Sequence, residues 1–375
     1  MVEEQATHAA LRARLHELPS DIRGLVEALL EENRRLREEN AGLRERLSGR
    51  RAGGRERRQE SSLSAPVPKP RYPDSWMVVV VSAQGRGKRT PLNAYTPQHR
   101  GGMGVFDIHL PDGDIPRHVL IAEEQATLFC ITSRGRAFRV PVSAVPRTDI
   151  RARGVSLKPH LRLTPGEEVA AVTVMDVERT WSHLFIITEF GWVKRLRHNY
   201  VGPRLGAGSI VHDVKREGGV PCVIFTGDKS GDLFLVTRKG MGIRFPVTAS
   251  PGRGGRGISL MRDDHVVGAV QLTEESTVLM VTASGLGARR SMRHFTANKS
   301  PGGKGKMAMK ADDVVAVVPA EEGDEVFVIS SLAKIIRFPA GEVPERRNPV
   351  QGVTVMTTRG DEVVAVRSIS PVHLA

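Results

Sequence analysis

An all-β fold of six propeller-like blades behind a short helical segment is what the sequence predicts, on three repeated features. The first is an apolar run ending at a turn glycine: Val78 to Val81 before Gly85, Leu128 to Ile131 before Gly135, Leu184 to Ile187 before Gly191, Leu233 to Val236 before Gly240, and Val278 to Val281 before Gly285. A sixth copy, Val326 to Ile329, has Ala333 in the glycine's place. Successive anchors stand 50, 56, 49, 45 and 48 residues apart, a period suited to blades. The second feature is an arginine four positions after each anchor: Arg89, Arg139, Arg195, Arg244, Arg289 and Arg337. The third is a second glycine some 15 to 20 residues after the anchor: Gly104, Gly154, Gly208, Gly257, Gly305 and Gly352.

Residues 1–48 read as helical. Leu11, Leu15 and Leu18 give a first helix a modest apolar face that ends at Pro19, and Ser20 or Asp21 can cap a second helix running to about Leu47. The second helix carries a heptad, with Val26, Asn33, Asn40 and Leu47 at one seam position and Leu29, Leu36 and Leu43 at the other. Asparagine on such a seam favours a parallel, in-register dimer, and Glu32 and Glu39 are placed to meet Arg37 and Arg44 of a second copy. A short zipper and a homodimer are expected; the alternative is a single amphipathic or solvated helix. Residues 49–74 turn to Gly, Ser, Pro and Arg, with Arg50, Arg51, Arg55, Arg57 and Arg58 before Pro66, Pro68 and Pro70. That composition makes a basic, flexible tether that stiffens toward its end.

The blades occupy residues 75–375. Apolar stretches such as Val169 to Val174, Val266 to Val270, Val314 to Val318 and Val363 to Val366 end the repeats, so each offers about four short strands joined by Gly- and Pro-rich turns. Six such sheets closing on themselves bury both faces of each and leave few free edges. In several repeats the strand after the anchor alternates, Phe138 and Val140 flanking Arg139, Ile243 and Phe245 flanking Arg244, Ile336 and Phe338 flanking Arg337. Period two then sends the apolar pair inward and the arginine outward. Joined by Arg86, Lys88, Lys194, Arg290 and Lys334, the arginines form a ring of positive charge suited to curving a duplex. A second role stays open for them, a hydrogen bond that braces turn carbonyls inside each blade.

Between the first arginine and the second glycine lies Gln98-His99-Arg100-Gly101-Gly102-Met103-Gly104. Adjacent glycines let a backbone approach a phosphate and aim N–H groups at it, while arginine offers a charged planar fork. Residues 77–105, with Gly85-Arg86-Gly87-Lys88-Arg89-Thr90-Pro91 and then Gln98 to Gly104, closely resemble the first blade of the DNA gyrase A C-terminal domain family, and the resemblance runs more weakly to about Ile369. It implies a six-bladed β-pinwheel that wraps DNA around a basic rim, here in a chain without the topoisomerase catalytic domains. The family's heptapeptide box reads Gln, basic, Arg, Gly, Gly, basic, Gly. Gln98, Arg100, Gly101, Gly102 and Gly104 match it, whereas His99 and Met103 stand at the two further basic places. Protonation of His99 below about pH 6.5 would restore one charge. Arg253-Gly254-Gly255-Arg256-Gly257 matches the last five places with both basic residues, and Pro301-Gly302-Gly303-Lys304-Gly305 is a poorer echo.

A net charge of +13 over 375 residues favours a polyanionic partner. Cys130 and Cys222 stand singly in apolar strands and read as buried thiols in a reducing compartment. No apolar run is long enough to span a membrane and no signal sequence is present, so a cytoplasmic, nucleoid-associated place is expected. Catalysis is not expected. Arg71-Tyr72 mimics the dipeptide of a topoisomerase nucleophile but lies in the proline-rich tether, and Gly252, Gly254 and Gly257 satisfy GxGxxG without a strand-loop-helix unit. Asp263-Asp264-His265 and Asp312-Asp313 lack metal-ligand spacing, so no metal and no cofactor are expected. The sequence thus points to largely sequence-independent binding and bending of duplex DNA, with bridging by a dimer as an extension. The alternative is an accessory or regulatory role in which the N-terminal helix docks on a topoisomerase core or another protein. A protein-recognition propeller is disfavoured by the charge and by the lack of Gly-His to Trp-Asp repeats.

Overall fold

The computed structural model describes residues 72–175, 181–298 and 300–371, with helical positions at 23–24, 31 and 34–35 ahead of them. The chain divides into two units, residues 1–66 and 67–375. In the first, Arg34 and Glu31 form an exposed ion pair one helical turn apart. The seam residues Val26, Leu29, Asn33, Leu36, Asn40, Leu43 and Leu47 lie outside the described residues.

The second unit is built on six antiparallel blades, with Glu345–Arg346 added in parallel to the edge of the fifth and a separate parallel pair formed by Ile108–His109 and Ala152–Arg153. In blade one the inner strand Pro116–Glu123 pairs with Trp76–Ser82, which pairs with Arg86–Pro91. The fourth, outermost strand is Val155–Ser156, which belongs to the next repeat. This exchange recurs: Ser209–Ile210 completes blade two, Gly255–Arg256 blade three, Lys306–Met307 blade four and Val353–Thr354 blade five. Val105–Phe106 of repeat one completes blade six by pairing with Lys334 and Ile335, and so closes the ring. Each blade is stitched to its neighbour by backbone hydrogen bonds that span repeats.

Alternation along the strands supplies the other half of the closure. Val79 and Val81 pack with Leu128, Cys130, Phe138 and Val140 of blade two, while Val78 and Val80, on the opposite face, pack with Phe327, Ile329 and Ile335 of blade six. Equivalent clusters fill the four remaining gaps. Both faces of every sheet are therefore buried, which is why the central strands are uninterrupted apolar runs and show no inside-outside alternation.

Each hairpin turn is made the same way. The anchor glycines Gly85, Gly135, Gly191, Gly240 and Gly285 have φ between 70° and 84°, and Ala333 adopts 59° in the sixth blade. Three residues before each anchor stands a hydroxyl, Ser82, Thr132, Thr188, Thr237, Thr282 or Ser330, which accepts a hydrogen bond from the backbone N–H just after the anchor. In all six blades the register with the inner strand shifts at that hydroxyl residue. The N–H just after the turn glycine would otherwise lack an acceptor at the tip of the hairpin, and the hydroxyl satisfies it.

Candidate nucleic-acid interface

The box of repeat one sits against blade six. Its Gln98 N–H donates to the Arg337 carbonyl and its Gly101 N–H to the Val355 carbonyl. Thr357 answers with its N–H to the Gly102 carbonyl and its hydroxyl to the Gly101 carbonyl. Gly104, at φ 71°, leaves no room for a side chain, because a Cβ would stand 2.6 Å from the Ile335 carbonyl oxygen. Glu342 takes up the box's polar groups: Oε2 accepts from the Arg100 N–H, Oε1 lies 2.7 Å from His99 Nδ1, and the Glu342 carbonyl accepts from Arg100 Nε. Arg100 Nη1 reaches the Thr354 carbonyl at 2.9 Å. Any charge gained by His99 thus meets a carboxylate already in place, and Met103 is left exposed beside it.

The repeated arginines do not point outward. With a neighbouring blade on both faces of each sheet, the side opposite the apolar pair is a blade interface, and five of the six guanidiniums donate across it to the 3-10 turn of the next blade. Arg89 donates to the carbonyls of Val145 and Ser143, Arg139 to Val201, Arg195 to Val247, and Arg244 to Met292 and Phe295. Arg337 donates to Leu92 and Tyr95, joining blade six to blade one. Carboxylates neutralise three of them, Glu124 at Arg89, Asp232 at Arg244 and Glu325 at Arg337. Arg289 is buried in the equivalent place, its Nε without a partner. Burial pushes Arg139 and Arg195 down from the usual guanidinium range. The turn-bracing role left open by the sequence is the one this geometry matches.

Several companions of that ring are also internal. Lys88 is 0% exposed, with Nζ 2.9 Å from Asp107 and 3.1 Å from the Asp149 carbonyl; burial pushes its pKa down against the pull of Asp107. Arg290 is buried over the Phe295 ring and donates to the Met307 and Ala308 carbonyls. Lys194 is held by Glu217 and the Val211 carbonyl, and Arg86 by the Gly154 carbonyl. Lys334 is half-buried. In contrast, Arg253, Arg256 and Lys304 are exposed on the loops and short strands of the rim.

More cations share that rim than the repeat pattern marks out. Arg147, Arg151 and Arg153 in repeat two, Arg204 in repeat three, and Arg346 and Arg347 in repeat six are all exposed. Their signal was positional, since each lies between the repeated arginine and the second glycine or just beside it. None of these six, nor Arg253, Arg256 or Lys304, has a carboxylate partner among the described residues. No group of metal-binding side chains occurs, and no helix is long and apolar enough to cross a membrane, among the described residues.

Comparison with known proteins agrees with this architecture. The family model of the DNA gyrase C-terminal domain, beta-propeller, matches residues 77–120, 126–174, 231–272, 276–321 and 324–370. Repeat three, which the family model skips, still forms a blade. The DNA gyrase A protein of Haloquadratum walsbyi is 31% identical over 303 residues, covering 77% of this chain and 35% of that protein. Its counterpart from Kosmotoga olearia is 29% identical over 305 residues, covering 78% and 37%. The chain thus spans about a third of the length of these relatives. A solved DNA gyrase A C-terminal domain superposes with a TM-score of 0.69 at 23% identity, covering 78% of this chain and 99% of that one. The C-terminal domain of DNA topoisomerase IV gives 0.55 at 18% identity, covering 79% and 93%. With five of its six blades matched by the family model and the sixth built on the same plan, the chain belongs to the DNA gyrase C-terminal domain family of beta-propellers.

Proposed function

We propose that the ring binds duplex DNA without reading its sequence and bends or wraps it along the rim, with no catalytic step of its own. The observation that carries this is the set of exposed, carboxylate-free cations on the rim in repeats two to six, Arg147, Arg151, Arg153, Arg204, Arg253, Arg256, Lys304, Arg346 and Arg347. Contacts of this kind hold phosphates in any sequence. Bending some tens of base pairs costs on the order of 1 to 6 kcal/mol, which several phosphate contacts offset. Neutralising about six phosphates gives a salt slope of roughly −5 in log K against log salt. The test is topological: seal a nicked plasmid with the protein bound, remove the protein and count linking number. A shift proportional to bound protein supports wrapping, salt-sensitive binding without a shift reduces the role to bending, and absence of binding refutes the reading.

The heptad at Val26, Leu29, Asn33, Leu36, Asn40, Leu43 and Leu47 supports a homodimer that bridges two DNA segments. Sedimentation of the full chain at twice the monomer mass, falling to monomer without residues 1–47, checks it. The match to gyrase A relatives favours one second reading, an accessory role on a topoisomerase core. Capture of such a core by residues 1–47 would support that role over DNA bridging. Either reading places the protein with DNA in the cytoplasm.

A further inference from the structure

Box one and box four differ in what their charges meet. Arg100 is engaged by the Glu342 and Thr354 carbonyls, and the N–H groups of Arg100 and Gly101 already have acceptors in repeat six. In box four, Arg253 and Arg256 are exposed without a carboxylate partner among the described residues, and the backbone N–H groups of Gly252 and Arg253 donate to no acceptor there. Gly254, at φ 98°, has no room for a Cβ, because the Trp192 indole lies against it. Trp192 also faces Arg256 across the short strand pair, and its Nε1 is buried without an acceptor.

Arg195 converges on the same loop. Its Nη2 lies 3.9 Å from where a Cβ on Gly252 would stand. The Nε is buried without a partner, and Nη1 meets the Val247 carbonyl only at 3.3 Å. Blades four and six supply the equivalent arginine with Asp232 and Glu325 at the start of the paired strand. Blade three has His183 there, a ring that burial and then the Arg195 charge push toward the neutral form. Arg195 therefore has no carboxylate partner among the described residues, while burial disfavours its cation. An anion at the Gly252 loop would relieve both.

We infer that box four, Arg253 to Gly257 with Arg195 behind it, is the principal phosphodiester anchor of this chain in place of box one. The inference rests on the DNA-binding reading above. Free N–H groups on a Gly-rich turn, two exposed guanidiniums and one uncompensated guanidinium make a receptor for adjacent backbone phosphates. Trp192 is a positioning residue that fixes the turn from below.

The experiment uses the full chain, a labelled duplex of about 40 base pairs and a series of salt concentrations. Arg253→Gln with Arg256→Gln is expected to weaken binding about tenfold and to lower the salt slope by about two, with an unchanged melting temperature, since neither side chain has a carboxylate partner within the described fold. Arg100→Gln is expected to weaken it less than about threefold. Arg253→Lys with Arg256→Lys should recover the slope, because charge is what it counts. Duplex binding should also change Trp192 emission, a change absent in Trp192→Phe. A larger loss from Arg100→Gln than from the box-four pair, at equal folding, overturns the inference and leaves the DNA reading standing. Wild-type protein that fails to bind the duplex overturns the DNA reading itself.

Discussion

Arg337 concentrates the residue-scale physics of the ring. The residue is 2% exposed, and its guanidinium pairs with Glu325, donates to the Leu92 and Tyr95 carbonyls and lies over the Tyr72 and Phe327 rings. Deleting one partner of such a pair strands the other charge in the interior. Arg337→Ala is therefore expected to destabilise the ring by about 3 to 5 kcal/mol in urea unfolding. Glu325→Ala should cost a similar amount, and the double variant less than the sum. Ala333 makes the opposite case. It holds φ 59°, a left-handed conformation that its five counterparts entrust to glycine. Alanine there is disfavoured by about 1 kcal/mol, so Ala333→Gly should raise stability by up to that amount, read as a higher melting temperature. The recurring hydroxyl at Ser82, Thr132, Thr188, Thr237, Thr282 and Ser330 was plain in the sequence but had no evident purpose without the hairpin-turn N–H that it satisfies.

The exchanged two-residue strand is the element on which closure depends. Val105–Phe106 pairs with Ile335 and Lys334, and Gly104 lies so close to the Ile335 carbonyl that any Cβ must displace it. Gly104→Ala combines that clash with an unfavourable φ, at a cost of roughly 1 to 3 kcal/mol. The expected signature is local: faster amide exchange at Val105, Phe106 and Ile335, with the blade-three strands unaffected. Loss of protection throughout the ring would instead show that closure and blade stability are one cooperative unit. Strand existence was legible from the apolar runs and turn glycines, because both are local properties. Strand exchange was not, because a two-residue strand has too little sequence to announce a partner in another repeat.

Across the whole molecule the inner strands line an axial cavity of about 930 Å³, walled by residues that include His118, Val172, Cys222, Val267, Val315 and Val364. Burial pushes both thiols up to about 12, which favours the thiol over the thiolate at neutral pH for the buried Cys130 and for Cys222, which is half-buried where the sequence predicts a buried thiol. Burial also pushes His118 down to about 4 from 6.5, opposed by its hydrogen bond to the Val169 carbonyl. The unfolded chain then takes up this proton first, so the stability tied to neutral His118 is full above about pH 6.5 and is lost as pH falls toward about 4. The melting temperature is expected to drop over that window, with part of the drop missing in His118→Gln. An identical decline in the variant would assign the whole dependence to other groups.

Local sequence settles the number of repeats, the strand pattern within them and the family. Apolar runs, turn glycines and the box heptapeptide are written in consecutive residues and act over a few ångströms. What the charges do is settled at the tertiary level alone. A strand's period of two dictates that Arg337 and its apolar neighbours face opposite ways, but not what lies on either side. Ring closure puts a blade on both sides, so Arg337 meets carbonyls 242 and 245 residues away and Arg100 meets Glu342 across the same seam. Burial and long-range pairing, both consequences of closure, turn the regular arginines into braces and leave the irregular rim cations facing solvent.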